Sequence, residues 1–434
     1  MLKPAAIDAI ILDLWGETRD GKKYASKQVA EIFERLPELS DSERDTIVST
    51  LYSMLNLVRR IDYILDLNFG PSPSKSTRFR APLAAYRILN GQLSTATAKT
   101  QFPDVNWDAV IALDFALKAE SDPVKRLGLT ASLPDFLVER LMAQYGGEAE
   151  ELARALNLRA PLTLRINSLK ASRAEVLGKF SKRGLEAKPT RLASMGIELA
   201  TRANVFGFSE FADGKFEVQD EASQLVAELV APPPKGLIID FCAGAGGKTL
   251  ALGALMRNRG RLFALDISPK KLDEFRRRAR RAGLTNARAI LLDSNAVWPT
   301  ELQPHAGKAD RVLVDVPCSG VGVFRRKPEM RWRLKAGDLQ RLPREQEAIA
   351  RRAMQLCAHG GRLIYATCTV LAEENEQVVE RLLSGSDFDL VPPKEILGGA
   401  AAKKITDASG RFVKLLPHIH NCDGFFAAVL RRRK

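Results

Sequence analysis

Two cysteines stand in separate short motifs, Asp315-Val316-Pro317-Cys318-Ser319-Gly320 and Tyr365-Ala366-Thr367-Cys368-Thr369, each at the end of an apolar run and downstream of a glycine-rich loop. A thiolate adds readily to an electron-poor carbon, and a transient carbon–sulfur bond divides a difficult substitution into easier steps. A cytosine ring is a target of that kind. It is electron-poor at carbon 6 and only weakly nucleophilic at carbon 5, so alkylation at carbon 5 gains from thiol addition at carbon 6. Two thiols suit the cycle, one to attack and one to help release.

The loop reads Asp240-Phe241-Cys242-Ala243-Gly244-Ala245-Gly246-Gly247-Lys248-Thr249, follows a strand and opens a helix, so its N–H groups can meet an anionic group. A phosphate-binding loop needs glycine where Cys242 stands, and the dinucleotide pattern needs one where Thr249 stands. Both nucleotide readings are disfavoured. S-adenosylmethionine offers a carboxylate to the loop and a ribose diol to an acid. Asp266 closes the next strand, Phe263-Ala264-Leu265-Asp266, and suits the diol, while Asp293 ends the third strand and suits the adenine. Cys242, Ala243, Gly244, Ala245, Gly246, Gly247 and Lys248, with Asp266 and Asp293, are the expected cofactor residues.

The elements that must position these groups alternate from Gly236 onward. Strands are expected at Leu237 to Phe241, Arg261 to Leu265, Ala289 to Leu292, Arg311 to Val314 and Gly361 to Tyr365, with helices from Thr249, over Pro269 to Ala282 and over Arg344 to Leu356. Such alternation favours a mostly parallel, doubly wound sheet with ligands at the carboxyl ends of its strands. Upstream, Pro4 to Gly91 has helical spacing, and Ser40 to Asp66 reads as a helix rich in Leu and Arg. Between these regions, helices at Asp135 to Tyr145, Glu148 to Asn157 and Ser223 to Val230 and a strand at Leu162 to Asn167 form a small α+β module.

With 434 residues, 45% of them hydrophobic, the chain can build two or three cores. A net charge of +14 favours a polyanionic partner, nucleic acid before membrane. No apolar run approaches the roughly 20 residues of a membrane span, and Met1-Leu2-Lys3-Pro4 does not open a signal peptide, so a cytoplasmic location is expected. Five cysteines without CxxC spacing suggest neither a disulfide framework nor a metal site. Cys357 reads as a core residue in a helix, Cys242 could pack beneath the loop, and Cys422 has no assigned role. Glu373-Glu374-Asn375-Glu376 reads as an acid-rich helix start.

Taken together, these motifs resemble the RNA cytosine-5 methyltransferases of the NOL1/NOP2/Sun group, and within it the RsmB type that modifies 16S ribosomal RNA. The likeness rests on the glycine loop, DVPCSGVGVFRRKPEMRW from Asp315, YATCTVLAEENEQVV from Tyr365, FEVQDEASQ from Phe216 and DGFFAAVL near the C-terminus. It implies a multidomain chain: residues 1–130 an all-α NusB-like RNA-binding domain, 131–230 an α+β RNA-recognition-like module, and 231–434 an α/β Rossmann-like class I methyltransferase domain. It implies S-adenosylmethionine as cofactor and RNA as partner, with 16S rRNA favoured, tRNA possible, no membrane or metal, and a monomer. Carried to matching positions, it makes Cys368 the nucleophile at carbon 6. Asp315 would hold or protonate ring nitrogen 3 close to the cofactor, and Cys318 would assist proton removal or release. Lys248 would make the site electropositive and favour a thiolate. It would also meet RNA, and Arg325 and Arg326 would contact phosphate near the site's mouth.

The target base must be single-stranded or flipped. In one place the chain departs from the family: Gly244 and Ala245 replace an Ala-Pro pair, which loosens the loop. The rival functions are a tRNA cytosine-5 methyltransferase and a non-catalytic RNA-binding ribosome assembly factor. A DNA enzyme would use the Pro-Cys thiol to attack and leave Cys368 without a role.

Overall fold

The computed structural model describes residues 3–21, 24–201, 203–293 and 297–434, so Met1 and Leu2 of the N-terminal sequence lie outside the described residues. The chain forms two compact units, one of Met1–Arg159 with Val323–Ala336 and one of Ala160–Gly322 with Gly337–Lys434.

Helical spacing in the first unit is matched by start signals. Ser40, Ser74, Ser94, Asn106 and Asp122 each accept a backbone N–H from the first turn that follows. At Ser40 the cap is reciprocal, because Glu43 returns a bond to the Ser40 N–H at 2.8 Å. The apolar stripes close on Ile11, Leu14, Trp15, Ile47, Leu51, Ile61 and Trp107. The run expected as one helix from Ser40 to Asp66 is two, Asp41–Asn56 and Val58–Asp66, parted at Leu57. Groups left without helical partners find distant ones: the Asn56 carbonyl accepts from Arg331 Nη1 at 2.8 Å, and the Arg60 N–H donates to Ser132 Oγ at 3.1 Å. Local periodicity carries no sign of such partners.

The second unit begins with a small antiparallel sheet. Its strands β1 (Leu162–Ile166), β2 (Ala187–Pro189), β3 (Gly196–Leu199) and β4 (Phe216–Val218) lie in the order β2-β3-β1-β4. Helix Arg173–Lys182 joins β1 to β2 and the short helix Ser209–Ala212 precedes β4, giving a ferredoxin-like βαββαβ path. Leu164, Ile166, Val176, Phe180, Ile197 and Phe216 form its core.

The large sheet follows with β5 (Leu237–Asp240), β6 (Arg261–Asp266), β7 (Ala287–Leu291), β8 (Ala309–Asp315), β9 (Cys357–Thr367), β10 (Phe388–Val391), β11 (Val413–Leu415) and β12 (Phe425–Arg432). Its order is β10-β12-β9-β8-β5-β6-β7, with β11 paired to β12. Strands β5 to β9 pair in parallel as the alternation predicts, while β10, β11 and β12 add an antiparallel edge that the βαβ reading omitted. Helix Pro269–Ala282 has the expected bounds, capped by Ser268 and ended by Gly283 in the left-handed region. The helix expected from Arg344 begins at Asp338 and continues past Pro343. Losing one intrahelical bond near its start is outweighed by the buried face of Leu339, Gln346, Ala350 and Ala353. Cys357, read as helical, instead opens β9, where it is buried as a core residue should be. Among the described residues no helix is long and apolar enough to cross a membrane.

Candidate active site

Register decides which motifs meet. Strands β8 and β9 pair in parallel with Asp315 beside Ala366, so the chain leaves both strands at one level and the two cysteine motifs emerge side by side. Cys318 Sγ and Cys368 Sγ are 3.2 Å apart, and the Cys368 N–H points at Cys318 Sγ at 3.3 Å. The contact with Cys368, with burial, holds the Cys318 thiol well above the ordinary cysteine value. At neutral pH Cys318 therefore keeps its proton. On the other flank, Gly424 N–H donates to the Gly322 carbonyl at 2.8 Å and Gly322 N–H to the Cys368 carbonyl at 3.1 Å. A Cβ on Gly322 would fall 2.1 Å from the Gly424 oxygen, so this approach needs glycine.

Lys248, in the first turn of helix Gly247–Leu255, is 9% exposed and gives Asp315 Oδ2 a 2.6 Å bond. Its ammonium also lies 5.0 Å from the centre of the Phe425 ring. Burial works against the charge, but the Asp315 carboxylate beside it, with smaller help from Cys368 and Asp240, holds Lys248 above the usual lysine value. The lysine expected to favour a thiolate is thus paired with an acid in the same site. Asp240, at the end of β5, accepts from Thr249 Oγ1 at 2.7 Å, while its other oxygen is buried without a partner. Burial, with Asp315 and Asp266 nearby, pushes its carboxyl up to about 7.

The glycine loop runs between the ends of β5 and β6. Asp266 Oδ2 accepts the Gly244 N–H at 2.8 Å, and Asp266 Oδ1 accepts the Ser268 N–H at 2.8 Å. Each oxygen retains a second lone pair. Nothing lies within 4 Å of where a Gly244 Cβ would be, so the loop presents an open backbone face there. Ala243 is buried with its N–H on the Leu265 carbonyl, and Cys242 is half-buried with its thiol pushed up by burial. Asp293 is exposed, two residues past the end of β7. The arrangement gathers Asp240, Cys242 to Lys248, Asp266, Asp315, Cys318 and Cys368 along neighbouring strand ends of one unit. Arg325 and Arg326 belong to the other unit, where Arg325 is 4% exposed and Arg326 half-buried. Among the described residues no His, Cys, Asp and Glu cluster suits a metal ion.

Sequence reasoning missed the support beneath the thiols. Glu374, read as part of an acid-rich helix start, is wholly buried, and the helix begins after it at Glu376. Glu374 accepts from Ser319 N–H at 2.8 Å, from Ser319 Oγ and from Gln346 Nε2 at 2.7 Å. Ser319 Oγ also meets Thr369 Oγ1 at 2.9 Å, and Tyr365 OH donates to the Glu374 carbonyl at 2.6 Å. Residues adjoining both cysteines are thereby tied to one carboxyl group. Burial raises its affinity for a proton, while the Ser319 and Gln346 donors favour the ion. The signal available was weak: Ser319 and Thr369 adjoin the cysteines in sequence, but nothing local points to Gln346.

This chain matches the model of the 16S rRNA methyltransferase RsmB/F family over residues 227–431, and that of an RsmF/B-like ferredoxin-like domain over residues 133–206. It is 35% identical to the probable ribosomal RNA small subunit methyltransferase B of Bacillus subtilis, over 73% of this chain and 70% of that one. It is 30% identical to the 26S rRNA (cytosine-C(5))-methyltransferase nsun-1 of Caenorhabditis elegans, over 69% of this chain and 46% of that one. A crystal structure of a methyltransferase homologue from Pyrococcus horikoshii covers 72% of this chain and all of its own, with TM-score 0.62 and 25% identity. With the thiol pair, the glycine loop and the ferredoxin-like module in one unit, the chain belongs to the RsmB/F family of rRNA methyltransferases.

Proposed function

We propose that this protein methylates carbon 5 of a cytosine in small-subunit ribosomal RNA, with S-adenosylmethionine as donor and Cys368 as the covalent nucleophile. The observation that carries the mechanism is the 3.2 Å pair of thiols beside the Lys248–Asp315 ion pair. The substrate draws support from the names of two relatives, one for the small ribosomal subunit and one for cytosine carbon 5.

The loop suits the donor: an open backbone face at Gly244, spare lone pairs on Asp266 for a diol, and a buried unpartnered oxygen on Asp240. When bound, the donor would supply an electrophilic methyl group. Residues Cys242 to Lys248 would hold it, with Asp266 at its ribose and Asp293 at its base. On the RNA side, the Cys368 thiolate forms a bond to carbon 6, and the displaced ring electron pair makes carbon 5 nucleophilic. As the thiolate adds, a proton passes from the Lys248 ammonium through Asp315 to the increasingly basic ring nitrogen 3, and it returns along the same path when the ring double bond is restored. After methylation the carbon 5 proton leaves to solvent, its electron pair restores the ring double bond, and the carbon–sulfur bond breaks with its pair on Cys368 Sγ. Cys318 keeps a proton and can donate it toward the departing thiolate. Of the two arginines, Arg326 retains surface for a phosphate contact, whereas the buried Arg325 retains little.

Labelled S-adenosylmethionine with unmodified small-subunit rRNA, and tRNA in parallel, tests the reading. Labelled 5-methylcytidine from the rRNA is expected. Label in tRNA alone would replace the substrate, and a different labelled nucleoside would sink the carbon 5 chemistry. Cys368→Ala should abolish transfer, while Cys318→Ala should accumulate a protein–RNA adduct stable in denaturing gels.

A further inference from the structure

The donor loop of this chain has Gly244 and Ala245 in succession, which leaves its backbone with more conformations to lose on binding than an Ala-Pro pair would. A side chain from helix Pro269–Ala282 restrains it. Arg278 Nη1 donates to the Ala245 carbonyl at 2.9 Å. The same guanidinium donates to Glu217 Oε2 from Nη2 at 2.9 Å and from Nε at 3.3 Å. Glu217 lies outside the methyltransferase sheet, in β4 of the ferredoxin-like module, and is 4% exposed. Its other oxygen accepts from Arg281, and Arg165 stands opposite it on β1. Burial pulls Arg165 down to about 10, and the Glu217 charge resists that fall.

The helix that carries Arg278 is fixed to the module at its far end. Asn167 Nδ2 donates to the Gly214 and Ala282 carbonyls, both at 2.8 Å, and Lys170 Nζ donates to the Asp213 and Arg281 carbonyls, both at 2.7 Å. Toward the loop, the same helix packs Phe275 against Gly246. Ala245 is therefore held through Arg278 by a carboxylate of a different module, itself anchored.

We propose that Arg278, braced by Glu217, is a positioning residue for methyl-donor binding. Its planar fork serves the loop carbonyl and the carboxylate together, a geometry that a lysine ammonium cannot reproduce. By fixing Ala245 it removes loop freedom that the donor would otherwise have to quench. The assignment rests on the loop being the S-adenosylmethionine site.

Calorimetric titration of the full chain with S-adenosylhomocysteine tests it. Arg278→Lys is expected to weaken binding about tenfold, the scale of one charge-assisted hydrogen bond, while kcat at saturating donor stays within about twofold. Adding Glu217→Gln should cost much less in Arg278→Lys than in the wild type, because both act through one chain of bonds. Loss of Arg278 also loosens the module junction, so a second background separates the two effects. Ala245→Pro restrains the loop without touching Glu217, and Arg278→Lys in that background should bind within about threefold of wild type. Undiminished affinity in Arg278→Lys, or an equal loss with and without the proline, overturns the assignment. A wild type with no affinity for S-adenosylhomocysteine would remove the donor reading and this assignment with it.

Discussion

At Glu374 one carboxyl group accepts from two elements, the turn after β8 and helix Asp338–Met354, and through Ser319 it reaches the residue beside Cys368. Glu374→Gln sets an amide N–H₂ against donors, leaving at least one without an acceptor. The expected cost is about 1–3 kcal/mol in urea unfolding. Methyl transfer should slow by roughly 10- to 100-fold, since small misplacements of reacting groups are costly. Donor affinity should stay intact, and a wild-type rate in the folded variant would refute this role. Asp240 gives a pH dependence. Its carboxyl rises on folding from the ordinary value of 3.8 to about 7, so folding takes up a proton between these limits. The stability this provides is full below about pH 4 and is lost as pH rises through about 7. Asp240→Asn should flatten that part of the melting temperature profile, and an unchanged profile would contradict the shift.

Among elements, the loop from β5 into helix Gly247–Leu255 is pinned at one residue. Gly246 has φ +83°, and a Cβ there would lie 2.1 Å from the Phe275 ring, so both backbone and space demand glycine. Gly246→Ala should destabilise the fold by roughly 2 kcal/mol or more and reduce donor affinity. Thermal melts and titration with S-adenosylhomocysteine read the two effects, and undisturbed binding would mean that the loop does not meet the donor. The antiparallel strand β12 has a comparable positional role. Its register sets Phe426 beside Thr367, which brings Phe425 and Gly424 to the level of Cys368 and Lys248.

In the molecule as a whole, one segment of the chain crosses between units. Val323–Ala336 lies within the stretch that resembles a methyltransferase, yet it packs with the N-terminal helices. There Arg331 is 1% exposed and donates to the carbonyls of Asn56 and Leu156, both at 2.8 Å, and to Asn157 Oδ1. Burial pulls its guanidinium down to about 9. Arg331→Ala would strand these buried carbonyls, at an expected cost of about 3 kcal/mol or more to the helical unit. Hydrogen exchange should show lost protection in Asp41–Asn56 and Val58–Asp66 while β8 and β9 keep theirs. Equal loss in both units would show that they unfold as one.

The sequence by itself determined the parallel strands, the helix over Pro269–Ala282, the acid Asp266 at the end of β6 and the two cysteine motifs. These follow from local periodicity, from caps and from residue types that chemistry needs. What the tertiary structure alone decided depends on groups far apart in the chain: the break at Leu57, the partnering of Lys248 with Asp315, the burial of Glu374 and the clasp from Glu217 through Arg278 to Ala245. In each case a charge or an orphaned backbone group must find a partner once water is excluded, and which partner is near is set by packing and strand register, not by neighbours in sequence.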